Sequence, residues 1–327
     1  MSLDADTIVD RRRMRRKLTF WRASAILFVV VAVLAIAGAL APEGSKLFSA
    51  PTDYIARVTI TGLIRNDADR VESLDKLAKS GVKAVIVHLD SPGGTTAGSE
   101  QLHDALRRVV AKKPTVMVVD GLAASGAYIA AIAGDHIIAQ DTSLVGSIGV
   151  LFQFPNVGDL LKTIGVKVEE IKSSPLKAAP NGFEPTSPEA RAAIEAIVKD
   201  SYAWFRGLVQ DRRHLDDAML DRVADGRVFT GRQAIEVKLV DQLGDERSAV
   251  EWLVKEKGID PKLRVKDWSL QSRLGDLGFL HLVMSALLDR IGLGAVARQF
   301  EDIGAVQAVE RVNLDGLLAL WHPSTSN

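Results

Sequence analysis

The chain has 327 residues, 41 basic against 41 acidic side chains, 47% hydrophobic residues and no cysteine. That composition excludes wholesale disorder, a disulfide scaffold, a thiolate metal site and a cysteine nucleophile. The zero net charge averages unlike parts: residues 1–22 hold seven basic and three acidic side chains, leaving 34 basic against 38 acidic in the remainder. A basic tip on a mildly acidic body does not read as a nucleic-acid binder.

Behind the tip, only Ser24 and Gly38 among residues 23–41 fall outside the hydrophobic set. As a helix this stretch spans roughly 28 Å, close to the ~30 Å hydrocarbon core of a bilayer. Arg11, Arg12, Arg13, Arg15, Arg16, Lys17 and Arg22 precede it. The positive-inside rule therefore predicts a cytoplasmic tail at 1–22, a single transmembrane signal anchor at 23–41 and an extracytoplasmic body. Ala39-Leu40-Ala41 also resembles a secretory cleavage site, but the apolar run exceeds the usual ~7–15 residues and Pro42 would obstruct the cut. A retained anchor in contact with the lipid bilayer is the expectation.

Residues 42–53 (PEGSKLFSAPTD) read as a linker, and the periodicity alternates from there on. Residues 54–60 alternate as a strand does, and 68–79 show helical spacing. The β-branched run 84–89 predicts a buried strand, 98–112 a helix, 115–119 a second buried strand and 125–133 a helix of small residues. Residues 136–139 and 166–171 read as further strands. A long helix is predicted from 187 to about 212, with shorter ones to about 257. Strands alternating with helices predict an α/β domain with a largely parallel sheet over 54–260. The remainder, 261–327, reads as an amphipathic extension. Its most apolar stretch, 277–288, is too short to cross a bilayer. It suits a packing helix or oligomer contact, with an interfacial membrane helix as the other reading.

Two glycine-rich turns follow predicted strands. Asp90-Ser91-Pro92-Gly93-Gly94 comes directly after 84–89, and consecutive glycines let backbone N–H groups approach a ligand closely. It lacks the glycine spacing of a dinucleotide loop and the Gly-Lys-Ser/Thr of a phosphate loop. Gly121-Leu122-Ala123-Ala124-Ser125-Gly126-Ala127-Tyr128 comes after 115–119. Its small residues leave room for a substrate carbonyl beside the Ser125 hydroxyl, and the next amide, Gly126 N–H, could face an oxyanion. The same serine would also serve as an ordinary helix cap, and this segment alone leaves both readings open.

A serine nucleophile needs a base. None of His88, His103, His136, His214, His281 and His322 sits in a glycine-lined turn with an acidic partner, so a Ser-His-Asp triad has little support. Lys177 is the remaining candidate, the only charged residue in the small-residue loop 173–180. A lysine acts as base only when neutral, and bringing its reference pKa of about 10.4 to about 7 needs roughly 4–5 kcal/mol of differential desolvation. An exposed loop lysine is the plain alternative.

The segments DSPGG (90–94), GLAASGAYIA (121–130), LVGSIGV (144–150) and IKSSPLK (171–177), in that order, resemble the signal peptide peptidase A family. The likeness runs from about residue 54 to 257 and takes in GRVFTG (226–231) and LVD (239–241). It implies a membrane-anchored serine endopeptidase with a Ser/Lys dyad on the ClpP/crotonase-like α/β fold. By motif, Ser125 matches the nucleophile, Lys177 the general base and Ser147 the serine that orients the lysine amine. Gly94 and Gly126 match the oxyanion hole. The histidine that a Clp-type protease would carry near 146–151 is missing, which favours the lysine version.

The resemblance further implies remnant signal peptides and other hydrophobic peptides as substrates, no metal or cofactor, and a bacterial inner-membrane location. It also implies a homo-oligomer in which Ser/Lys pairs form between neighbours. A related membrane peptidase with narrower protein substrates and a non-catalytic scaffold on the same fold are the alternatives. Two positions depart from the family pattern. Lys238 stands where a glycine is usual before Leu239-Val240-Asp241, and Pro175 in the lysine loop leaves Lys172 as the fallback base.

Overall fold

Apolar strands that alternate with amphipathic helices can bury themselves only by lying side by side beneath helical layers. The computed structural model, which describes residues 20–22, 53–270 and 317–320, has this arrangement. The expected anchor at 23–41, most of the linker and the apolar stretch 277–288 lie outside the described residues. Among the described residues no helix is long and apolar enough to cross a membrane.

The elements run β1 (Ile55–Thr61), α1 (Ala68–Lys79), β2 (Ala84–Ser91), β3 (Gly93–Thr95), α2 (Thr96–Val110), β4 (Thr115–Ala124), α3 (Gly126–Ala131), β5 (His136–Ala139), β6 (Leu144–Gly146) and β7 (Leu151–Phe152). Then come α4 (Gly158–Thr163), α5 (Pro188–Arg213), α6 (Asp217–Val223), β8 (Val228–Thr230), α7 (Gly231–Glu236), β9 (Gln242–Leu243), α8 (Glu246–Lys257), β10 (Val265–Asp267) and β11 (Leu317–Leu320).

Six strands lie parallel in the order β10-β1-β2-β4-β5-β9. At the centre, β2 and β4 are apolar on both faces, as a doubly covered parallel sheet requires. On one face Val85, Val87, Leu89, Met117 and Val119 meet Leu74 and Leu77 of α1, Leu102 and Leu106 of α2 and Tyr128 of α3. On the other, Ile86, Val116 and Val118 meet Ala249 and Leu253 of α8. Each such aliphatic side chain contributes about 1.5–3 kcal/mol on burial, so these two layers hold the sheet rigid behind the turns.

The register of β2 against β4 shifts between Leu89 and Ser91, and the far end of β4 leaves β5 to pair with β6. This bend carries the glycine turns 90–94 and 121–126 out of the sheet as neighbours. A Cβ on Gly121 would lie 3.0 Å from Asp90 Oδ1. A second, antiparallel sheet of three short strands, β3-β11-β7, forms beside them.

The periodicity misleads at 166–171. Val166 and Val168 alternate with charged neighbours as in a strand, yet the segment 166–171 forms none, and Val166, Val168 and Ile171 are exposed. Alternation creates a ladder only where a neighbouring strand offers hydrogen bonds and side-chain pairs.

Candidate active site

β4 delivers Ser125 to its C-terminal end, and α3 begins at the next residue. Ser125 has φ 55° and ψ −117°, a region that a non-glycine residue occupies at a cost of about 1–3 kcal/mol. Its backbone is held there from both sides. The N–H donates to Gly146 O at 2.7 Å, and the carbonyl accepts from the N–H groups of Tyr128 (2.9 Å) and Ile129 (3.1 Å). The side chain makes no capping bond to the helix. Its hydroxyl instead faces Gly149 O at 3.4 Å, too long to hold it firmly. Of the two readings that the sequence left open, helix cap and free hydroxyl, this geometry fits the second.

Two amides belong to elements beside this turn. Gly126 is the first residue of α3, so its N–H has no intrahelical acceptor. Gly94 lies in β3, which packs on α3. No other residue fits at 94, because a Cβ would stand 1.8 Å from Ile64 O. Ile64 donates to Gly93 O at 2.8 Å and accepts from Thr95 N–H at 2.9 Å. Successive strand amides point to opposite edges, so the Gly94 N–H faces away from Ile64, toward the edge beside β11.

Ser147 follows β6 with φ 49° and is buried, and its N–H donates to Arg227 O at 2.8 Å. Since Gly146 O holds the Ser125 amide, the two serines flank one backbone hydrogen bond. The structure therefore brings Ser125, Gly126, Gly94 and Ser147 together. Lys177 does not join them within the chain. Its side chain is exposed and makes no hydrogen bond or ion pair to a described residue, while its backbone N–H donates to Ser174 O at 3.1 Å.

Lys172, the fallback base, is unsuited to the role. Bonds to Glu170 and to Glu184, the latter at 2.7 Å, raise its pKa and keep it protonated. At the other departure from the family pattern, Lys238 has φ 61°, the left-handed conformation for which glycine is favoured.

His88 has an acidic partner at each ring nitrogen, a feature the local sequence hides because the two come from distant elements. His88 Nδ1 lies 2.9 Å from Asp120 Oδ1, and Nε2 lies 2.9 Å from Glu246 Oε2. Arg57 donates to the same Glu246 and, with His88, holds its carboxyl below the usual range. In β2, His88 shares the face of Ile86, which α8 covers, whereas α3 packs on the opposite face. This cluster ties α8 to the sheet and does not serve Ser125.

Sequence reasoning also missed the carbonyls of Gly146 and Gly149 and the backbone of Ile64. They act through main-chain atoms, so no side-chain pattern signals them. Among the described residues no group of three or more His, Cys, Asp or Glu is placed to hold a metal ion.

A sequence model of peptidase family S49 matches residues 107–260, and one of the Clp protease family matches residues 62–143. A Synechocystis protein named as a protease, slr0021, is 34% identical over 209 residues, covering 63% of this chain and 76% of that protein. The chain belongs to peptidase family S49. Within S49 it is also similar to an Enterococcus faecium protein named signal peptide peptidase SppA, at 30% identity over 68% of this chain and 62% of the relative. Protease 4 of Salmonella typhi is 30% identical over 69% of this chain and 36% of its own length. The chain thus spans less than two thirds of those last two relatives. Kinship within S49 places it among serine-type peptidases of the SppA and protease 4 kind, on a Clp-like α/β fold with a mostly parallel sheet.

Proposed function

We propose that this chain is a membrane-anchored serine endopeptidase that cuts hydrophobic peptides, remnant signal peptides among them, at the extracytoplasmic face of a bacterial inner membrane. The observation that carries the reading is the strained Ser125 turn, whose loosely held hydroxyl stands beside the unpartnered amide of Gly126. In this reading Lys177 takes the proton from Ser125 Oγ as the oxygen attacks a peptide carbonyl. The Gly94 and Gly126 N–H groups receive the negative charge of the tetrahedral intermediate, each donor contributing about 10²–10³ in rate. The protonated lysine then gives its proton to the departing amine. A water molecule, deprotonated by the same lysine, releases the acyl group from Ser125. Ser147 orients the amine through its hydroxyl.

Lys177 reaches a serine from a neighbouring copy in a homo-oligomer. Two features support this: the lysine has no bond to Ser125 within its own chain, and the arm that carries it, residues 160–183, exposes apolar side chains. Leu160, Ile164, Val166, Val168, Ile171 and Phe183 of that arm are all exposed. So much uncovered apolar surface in one segment is a mark of an interface. The anchor at 23–41 holds the assembly at the membrane, with residues 1–22 on the cytoplasmic side.

The test is hydrolysis of a fluorogenic hydrophobic peptide by the full chain, Ser125→Ala and Lys177→Ala. Both variants should lose at least about 10³-fold in kcat. Full activity in either would overturn the dyad. A lysine base must also shed its proton, so kcat should climb with pH, and a flat profile between about pH 6 and 10 would count against it.

A further inference from the structure

The loop that carries Lys177 makes few bonds of its own. Among the described residues, 173–180 form two hydrogen bonds, both turns within the loop: Lys177 N–H to Ser174 O at 3.1 Å and Ala179 N–H to Leu176 O at 3.3 Å. The two ends of the loop are tied instead. Lys172 lies between exposed neighbours, Ile171 and Ser173, yet its own side chain is only 19% exposed. Its ammonium bonds Glu170 on one side of the loop and Glu184, at 2.7 Å, on the other. The Asn181 amide bridges the same two carboxylates, donating to Glu170 Oε1 at 3.2 Å and to Glu184 Oε1 at 2.8 Å. Its carbonyl accepts from the N–H groups of Phe183 (2.9 Å) and Glu184 (3.1 Å). This returning segment is fastened in turn to the chain that follows β7. Asn156 Nδ2 donates to Glu184 O at 3.0 Å, and Val157 N–H donates to Gly182 O at 2.8 Å.

We infer that Lys172 is a positioning residue for Lys177: with Glu170, Asn181 and Glu184 it forms a clamp that closes the base of the loop 173–180 and presents the Lys177 amine in a fixed place. The effect on catalysis rests on the peptidase function proposed above, whereas the clamp itself does not. Lys172 stands shortly before Lys177 and Asn181 shortly after it, and pinning both ends of so short a segment removes most of the positions that the amine could sample. A lysine that must enter the site of a neighbouring copy gains most from such a device. Its own chain offers the amine no partner, so only the loop can set its place before the copies meet. Reacting groups misplaced by an ångström lose up to about 10²-fold in rate. The two carboxylates keep Lys172 protonated, which suits a clamp and not a base. Exposed ion pairs contribute little to global stability, so the clamp acts on the loop and not on the fold.

The experiment compares the full chain with Lys172→Met, Lys172→Arg and Lys177→Arg on a fluorogenic hydrophobic peptide. A guanidinium keeps the charge and the bonds to carboxylates but never gives up its proton, so arginine can clamp and cannot act as a base. Lys172→Met should lower kcat about 10–100-fold with KM held and Tm moved by less than about 3 °C. Lys172→Arg should keep kcat within about threefold of wild type, while Lys177→Arg should be as inactive as Lys177→Ala. Wild-type kcat in Lys172→Met would overturn the inference, and so would a Lys172→Arg variant as slow as Lys172→Met. A second arm needs no catalysis. Deuterium uptake by the segment 173–184 should quicken at least about threefold in Lys172→Met and stay near wild type in Lys172→Arg, and equal uptake in all three chains would overturn the clamp. Faster uptake in Lys172→Met, with full activity in Lys177→Ala, would uphold the clamp and refute the dyad instead. If Lys172→Met does not fold, Asn181→Ala cuts the same bridge and takes its place.

Discussion

Gly94→Ala separates the geometric claims about the cleft most sharply. The added Cβ would lie 1.8 Å from Ile64 O and 2.6 Å from its carbonyl carbon. Both are backbone atoms, so no side chain can swing away. Restoring an ordinary spacing of roughly 3.5 Å forces the two backbones apart by about 1.5 Å. The hydrogen bonds from Ile64 N–H to Gly93 O (2.8 Å) and from Thr95 N–H to Ile64 O (2.9 Å) do not survive that displacement. At about 0.5–1.5 kcal/mol each, their loss lowers stability by roughly 1–3 kcal/mol. In a domain of this size that moves Tm by about 2–4 °C per kcal/mol. The catalytic consequence is larger. An amide displaced by more than an ångström no longer meets the oxyanion, and losing one donor costs about 10²–10³ in kcat. The assay is kcat for a hydrophobic fluorogenic peptide, measured well below the Tm of the variant and beside a thermal melt. Wild-type kcat in the folded variant would refute the oxyanion role of Gly94, and an unchanged Tm would refute the contact with Ile64.

Co-expressing Ser125→Ala with Lys177→Ala asks whose lysine serves each serine. Sites built between neighbours should recover about a quarter of wild-type activity at equal expression, since random pairing in a ring leaves that share intact, whereas sites built within one chain recover none. Glu246→Gln should lower stability near neutral pH by about 1 kcal/mol, a modest figure because the Arg57–Glu246 pair is partly exposed. Arg57 and His88 depress the native carboxyl pKa, so this contribution is present above the unfolded value and disappears as pH falls through the native one. Urea midpoints of the two proteins should therefore differ at pH 7 and converge in acid, and a gap that widened as pH fell would contradict the assignment. Lys238→Gly should raise stability by about 0.5–1 kcal/mol, because a left-handed backbone suits glycine better than any residue with a Cβ. A lower melting temperature in that variant would show that the lysine side chain holds something the backbone conformation does not reveal.

Features that depend on neighbours along the chain were legible in the amino-acid order. Short apolar runs placed the strands at 84–89 and 136–139, which are buried on both faces, and helical spacing placed the long helix near 187–212. Small residues around 121–127 marked the turn that carries Ser125, and the four ordered motifs pointed to the family. Tertiary structure decided what depends on segments far apart. It denied a strand to 166–171 for want of a partner. It also surrounded His88 with carboxylates from residues 120 and 246, left Lys177 exposed, and set 317–320 against Gly94. The division follows from the forces involved. Propensity and hydrophobic pattern act within a few residues and can be read in order, whereas hydrogen bonds and ion pairs form wherever folding brings two groups within about 3 Å.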